Sequence, residues 1–244
     1  MMKQKLYLVA LLCVTLFGFA SCLSDSDDGN KLLLTDYFTI TGTYPNYKLI
    51  GDGGEIVYPT TASVNDCTDS KGFGDHKRAQ LYAYYSPKDT TIENGTTIIR
   101  YAELEDGIYF EEKKAITFAE ATEAGILEED SIFDIKGHNS WLAKGYLSSI
   151  FTADYSIVNN KEIKPGVNLC ATSTEENAIT LKFLYNRHTQ KTNVSSYEGL
   201  FYYSFDVTNL NIPGNDSITI TFDVTGSTPS KLKVARSDFY FKAQ

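Results

Sequence analysis

From residue 33 onward, apolar and polar side chains alternate in short runs, and apolar residues at helical spacing are scarce. Leu33 to Thr41 reads as a strand, Gly42-Thr43-Tyr44-Pro45-Asn46 as a turn, and Tyr47-Lys48-Leu49-Ile50 as a second strand. Gly51-Asp52-Gly53-Gly54 is a tight connection, where glycine reaches positive φ without a steric penalty. Glu55 to Tyr58 returns to complete a hairpin. After a loop with Asp66, Cys67 and Gly72 come strand-like runs at Arg78 to Tyr85, Thr96 to Leu104 and Gly107 to Phe110. About five strands of this length suit a compact barrel.

Residues 115–130 break the pattern. Ala115 to Gly125 has helix formers and a terminal Gly, so it reads as a short helix or a bridging turn. Strand-like runs resume at Ser131 to Ile135, Trp141 to Ser156, Val167 to Cys170, Ala178 to Tyr185, Leu200 to Val207, Ser217 to Val224 and Lys231 to Val234, and Phe239-Tyr240-Phe241 extends the last strand. Leu181/Phe183/Tyr185 and Ile218/Ile220/Phe222 alternate strictly, one face buried and one wet. The fold class is therefore all-β: a barrel domain over 32–114, a connecting segment over 115–130, and an antiparallel β-sandwich over 131–244.

The first residues read as an address. Lys3 and Lys5 precede an apolar run from Leu6 to Phe19, too short for a spanning helix of about 20 residues but suited to a cleaved signal segment. The run ends Phe19-Ala20-Ser21-Cys22, which looks like a lipobox. Its cleavage leaves residues 1–21 behind, and Cys22 becomes the lipidated first residue of the mature chain. Several acyl chains on one residue hold a folded domain durably on a bilayer. Residues 22–31 form a polar tether, and its Asp25, Asp27 and Asp28 resemble the acidic signal that sends some Gram-negative lipoproteins to the cell surface. The expected location is the outer membrane, facing outward; a plain spacer with a periplasm-facing protein is the alternative.

Charge narrows the partners. The chain carries a net −9, and loss of a leader holding Lys3 and Lys5 but no acid makes the mature form two units more negative. Such a surface repels phosphate backbones, which argues against nucleic acid as a partner.

Several stretches together resemble the NigD-like bacterial lipoproteins. They are Ser21-Cys22 with its acidic tether, Arg78-Ala79-Gln80-Leu81-Tyr82-Ala83-Tyr84, Trp141 to Leu147, Ile179 to His188, and the pair Leu200-to-Val207 and Ser217-to-Val224. The resemblance implies an N-terminal OB-type domain, a C-terminal β-sandwich and an envelope location. Association with bacteriocin-type loci implies an immunity-like role. It transfers no catalytic or ligand-binding residue.

The residues themselves offer little chemistry. His76, His138 and His188 are far apart and lack metal-like spacing. No nucleophile elbow, His-Glu-x-x-His or phosphate loop is present, and no cofactor is expected. Glu111-Glu112, Glu175-Glu176 and Glu128-Glu129-Asp130 read as solvated charges, since adjacent acids on a strand point to opposite faces. Tyr82, Tyr84 and Tyr85 are candidate ligand-facing aromatics for a sugar, with Lys77 and Arg78 beside them, and strand packing by these tyrosines and by Tyr202 and Tyr203 is the alternative. After processing, Cys67 and Cys170 remain, either bridged in the oxidising envelope or kept as separate thiols. The expected function is a non-catalytic binding or protective envelope lipoprotein. The alternatives are a structural accessory subunit of an envelope or polysaccharide-uptake complex and a carbohydrate-binding lipoprotein.

Overall fold

Alternating burial builds the first domain from β1 (Leu32–Thr43), β2 (Asn46–Gly51) and β3 (Ile56–Pro59), an antiparallel meander. The computed structural model describes residues 31–69, 71–126, 136–158, 160–186, 196–223 and 229–241. The leader with Cys22, the acidic tether, the expected strand Ser131–Ile135, Glu128-Glu129-Asp130 and His188 lie outside the described residues. From β3 the chain passes through α1 (Thr61–Cys67) to β4 (Arg78–Tyr85), which pairs antiparallel with β1. β5 (Thr90–Glu93) leads into the long β6 (Thr96–Tyr109). Because β6 pairs with β4 on one side and with β3 on the other, the strands close as β1-β2-β3-β6-β4. Closure removes the free edges and gives the OB-like barrel.

The barrel interior holds Phe38, Ile40, Leu49, Val57, Ala79, Leu81, Ala83 and Leu104, plugged by Val64 of α1 and by Phe73. α1 was not legible as a helix, because Thr61-Ala62-Ser63-Val64-Asn65-Asp66-Cys67 has weak helix propensity. The Thr60 hydroxyl accepts from the Ser63 amide at its start, and fully buried Val64 anchors it.

The second domain packs two five-stranded sheets. One runs β11 (Lys161–Ile163), β10 (Tyr146–Val158), β14 (Ser196–Asp206), β7 (Glu111–Lys114), with β9 (Lys136–Ala143) also on β10. The other runs β16 (Ser230–Val234), β15 (Ile218–Asp223), β13 (Ala178–Asn186), β12 (Gly166–Glu175), β8 (Ile116–Thr117). Leu181, Phe183 and Tyr185 of β13 and Ile218, Ile220 and Phe222 of the neighbouring β15 line the inner face of this sheet, in one continuous core with Phe151, Leu169, Tyr203 and Phe205. Most pairings are antiparallel; β7–β14, β8–β12 and β13–β15 are parallel.

Four sequence-based readings are corrected. The sandwich begins at Glu111 rather than 131: β7 and β8 are too short to show periodicity, and only their pairing with β14 and β12 assigns them. α2 (Phe118–Glu123), closed by a Thr117/Glu120 capping box, therefore belongs to the sandwich and is not a linker between domains. The run from Trp141 to Ser156 is a hairpin that turns at Lys144-Gly145, both at positive φ. At the chain end, α3 (Arg236–Phe239) replaces the extension through Phe239-Tyr240-Phe241, its Phe239 wholly buried in the sandwich core.

Cys67 and Cys170 are free thiols, so the bridge weighed from the sequence does not form. Cys67 ends α1 against the barrel core, whereas Cys170 sits under α2 with Ala121 and Leu184, a separate cluster. Burial raises the pKa of both, which keeps them protonated and unreactive.

Candidate binding surface at the domain junction

The register of β4 decides which of its side chains meet a ligand. Ala79, Leu81 and Ala83 point into the barrel, so Arg78, Gln80, Tyr82 and Tyr84 share its outer face, opposite Thr39, Tyr37, Thr35 and Leu33 of β1. At one end of this face the sandwich sits on top, and Arg78 is wholly buried. At the other end, about 20 Å away at 3.4 Å per residue, Tyr82 and Tyr84 are half-buried beside the exposed Leu33. Tyr85 has the opposite parity and packs against the barrel core, which removes it from the ligand-facing set.

All five guanidinium N–H groups of Arg78 are used. Nη1 and Nη2 donate to Asp52 Oδ1 and Oδ2 at 2.7 and 2.8 Å, Nη1 also to Thr39 Oγ1 at 3.1 Å, and Nε and Nη2 to Ser148 Oγ at 3.3 and 3.0 Å. Asp52 comes from the β2–β3 connection, and its Oδ2 also accepts from Trp141 Nε1 of β9 at 2.7 Å. One barrel ion pair thus bonds two strands of the sandwich. The turn that delivers Asp52 needs Gly54 at φ +99°, where a Cβ would be strained. Glu112 of β7 completes the junction by accepting from the amides of Lys77 and Arg78. Arg78 is therefore a structural clamp, not the wall of an open basic groove.

Around the clamp the aromatic rings converge from both domains. Tyr37 packs on Trp141 at 4.4 Å, and Phe110, 1% exposed, meets Tyr37, Trp141 and Tyr202 at 6.0, 6.3 and 5.7 Å. Burial raises the pKa of Tyr37, helped by the nearby hydroxyls of Tyr202 and Tyr82. On the sandwich side, Tyr202 stands opposite Ile150 on the outer sheet face, and Leu200, two residues before it, is 55% exposed. The result is a partly exposed surface running Tyr84, Tyr82, Tyr37, Trp141, Tyr202, Leu200 across both domains. Tyr203, by contrast, is a core residue whose hydroxyl donates to the Pro165 carbonyl at 3.1 Å.

Beside the clamp, the Glu55 carboxyl lies against Asp36. Burial first, then the hydrogen bond to Asp36, pushes the Glu55 pKa up to about 7. Its raised folded pKa means that its stabilising contribution is complete below the unfolded value near 4.5 and is lost as pH rises through 7. Glu55→Gln, which donates to Asp36 at every pH, should flatten this dependence. At pH 8 it should raise the unfolding free energy by about 1–2 kcal/mol, a figure reduced roughly by half for solvent screening. Denaturant titrations at pH 5 and pH 8 measure it; equal losses at both pH values would show the carboxyl to be unimportant there.

The remaining sequence candidates are scattered. His76 stacks on Tyr109 at 4.7 Å. His138 Nε2 lies 2.8 Å from Ser140 Oγ and 2.9 Å from Ser149 Oγ, its ring parallel to Phe222. Burial lowers the His138 pKa and keeps it neutral. A Ser–His pair for acyl transfer needs a group orienting the second ring nitrogen, and among the described residues no carboxylate bonds it. Glu111 and Glu112 point apart, Glu111 toward Lys113 at 3.5 Å, and Glu175 and Glu176 are exposed. Sequence reasoning missed Asp52 as a partner of Arg78. The available signal was parity, which places Arg78 on the face shared with Tyr82 and Tyr84.

No curated protein matches the chain. Among solved structures, it is similar to a protein from Parabacteroides distasonis described as toxin-related, at 17% identity and TM-score 0.53, over 83% of this chain and 93% of that one. It is similar to a protein from Bacteroides fragilis described as a lipoprotein, at 10% identity and TM-score 0.52, over 87% of this chain and 100% of that one. A NigD-like immunity protein from Bacteroides caccae aligns at 14% identity and TM-score 0.48, over 87% and 100%. Identities this low speak to fold alone. Within the described residues no helix is long and apolar enough to cross a membrane. The model of the NigD-like C-terminal beta sandwich domain matches residues 115–233, so this stretch of the chain is identified as a NigD-like C-terminal beta sandwich domain.

Proposed function

We propose that the chain is a lipid-anchored, non-catalytic binding protein of the bacterial envelope, tethered through Cys22, and that its aromatic surface takes an envelope or extracellular polysaccharide. The observation that carries this reading is the run Tyr84, Tyr82, Tyr37, Trp141, Tyr202, built across two domains that the Arg78–Asp52 clamp joins. Tyrosine and tryptophan offer flat apolar faces to sugar rings and polar edges to sugar hydroxyls. A rigid platform loses little entropy on binding. The leader ending in Cys22 and the fold likeness to a protein described as a lipoprotein support the address.

Electrophoresis of the chain from Lys31 onward through gels cast with different polysaccharides tests this. Retarded migration is expected with at least one neutral polysaccharide. Tyr82→Ala with Tyr84→Ala should weaken it about tenfold, since each ring contact contributes about 0.5–1.5 kcal/mol. No retardation in any gel, with a protein of fixed stoichiometry co-purifying from membranes, would instead support the accessory-subunit reading.

A further inference from the structure

Beyond Arg78, on the side away from Tyr82 and Tyr84, the domains enclose a cleft of about 240 Å³ that the aromatic surface does not use. Its barrel wall carries Lys77 and Thr41; its sandwich wall carries Lys144, Tyr146, Asp206 and Phe241. Neither ammonium forms an ion pair with a carboxylate among the described residues, and the charge acting on Lys77 is the Glu112 carboxyl that its amide bonds. Two unpaired cations facing one cleft from opposite domains are unexpected in a chain of net charge −9.

Lys144 is also in an unfavourable backbone position. It has φ +51° as the first residue of the Lys144-Gly145 hairpin turn, where Asn or Gly is the usual occupant. A strained residue at a cleft points to a role for its side chain. Its ammonium stands 5.3 Å over the Phe241 ring. Asp206 Oδ1 accepts from the amide and hydroxyl of Thr208 at 2.9 and 2.6 Å, whereas its Oδ2 has no donor among the described residues. The Tyr146 hydroxyl likewise has no hydrogen bond among the described residues, and burial, with the nearby Asp206 and Glu112 carboxylates, keeps it protonated.

We propose that this cleft binds a carboxylate-bearing monosaccharide, a hexuronate, with its carboxylate between Lys77 and Lys144, its hydroxyls on Tyr146 and Asp206 Oδ2, and a C–H face against Phe241. The volume lies below the about 300–1,000 Å³ of sites for drug-sized ligands, which suits a single sugar ring. Asp206 selects against a compact bare anion, which it repels, and for a ligand that also brings hydroxyl donors. The inference stands apart from the aromatic surface and does not require it.

Saturation-transfer NMR and calorimetry on the full chain in detergent, with glucuronate, galacturonate, glucose and inorganic phosphate as probes, test it. One of the two uronates should bind and weaken as salt is raised; glucose should be at least about tenfold weaker, because it lacks the charge-assisted contacts. Lys144→Gly should abolish uronate binding while raising Tm, because glycine relieves the strained φ. Lys77→Gln should weaken binding about tenfold or more with Tm unchanged. Tyr82→Ala with Tyr84→Ala should leave uronate binding intact, which separates failure of this site from failure of the polysaccharide surface. Absence of uronate binding, an equal response to glucose, or displacement of uronate by an equal concentration of phosphate overturns the proposal.

Discussion

Arg78→Met should destabilise the protein by about 3–5 kcal/mol and separate the unfolding of the two domains. The substitution removes five hydrogen bonds and leaves Asp52, whose side chain is only 13% exposed, without its countercharge. The main penalty is that uncompensated charge rather than the lost pair, so adding Asp52→Asn should recover part of the loss. The original chain should unfold in one transition in guanidinium chloride, followed by tryptophan emission, because Trp141 sits at the junction and bonds Asp52. Arg78→Met should give two transitions. A single transition with an unchanged midpoint would mean that the clamp contributes nothing.

Phe110→Ala should cost about 3–5 kcal/mol, at the upper end if the junction does not collapse into the space left behind. Phe110 lies between β6 and β7, 1% exposed, with its ring against Tyr37, Trp141 and Tyr202. Its amide donates to the Arg78 carbonyl at 3.1 Å. Because both residues hold one junction, the double variant Arg78→Met/Phe110→Ala should lose less than the sum of the single losses. Strict additivity in denaturation midpoints at constant m-value would show two independent contacts instead. The ring also backs the aromatic surface, so Phe110→Ala should weaken polysaccharide retardation even under conditions where the chain stays folded.

Strand assignment was legible from the sequence because the burial period of a strand is local. Leu181/Phe183/Tyr185 and Ile218/Ile220/Phe222 are alternations that the chain displays wherever one sheet face is wet, and all six residues are buried. The Gly-rich connection at Gly51 to Gly54 and the strand count of the barrel were equally local. α1 was not, because its helix depends on the Thr60 cap and the burial of Val64 more than on propensity. β7 and β8 were not either, since runs of four and two residues carry no period and gain identity only from β14 and β12.

The site divides the same way. The sequence by itself determined that Arg78, Tyr82 and Tyr84 share one face of β4, because side chains of a strand alternate without reference to anything else. Only the tertiary structure decided that the two ends of that face have opposite fates. The sandwich covers Arg78 and supplies Ser148 from 70 residues away, and the carboxylate it bonds, Asp52, reaches Trp141 across 89 residues. Lys77 and Lys144 likewise become one site only because the two domains dock. Contacts over such separations depend on how completed sheets pack, and a period of two along the chain carries no information about what will be laid over it.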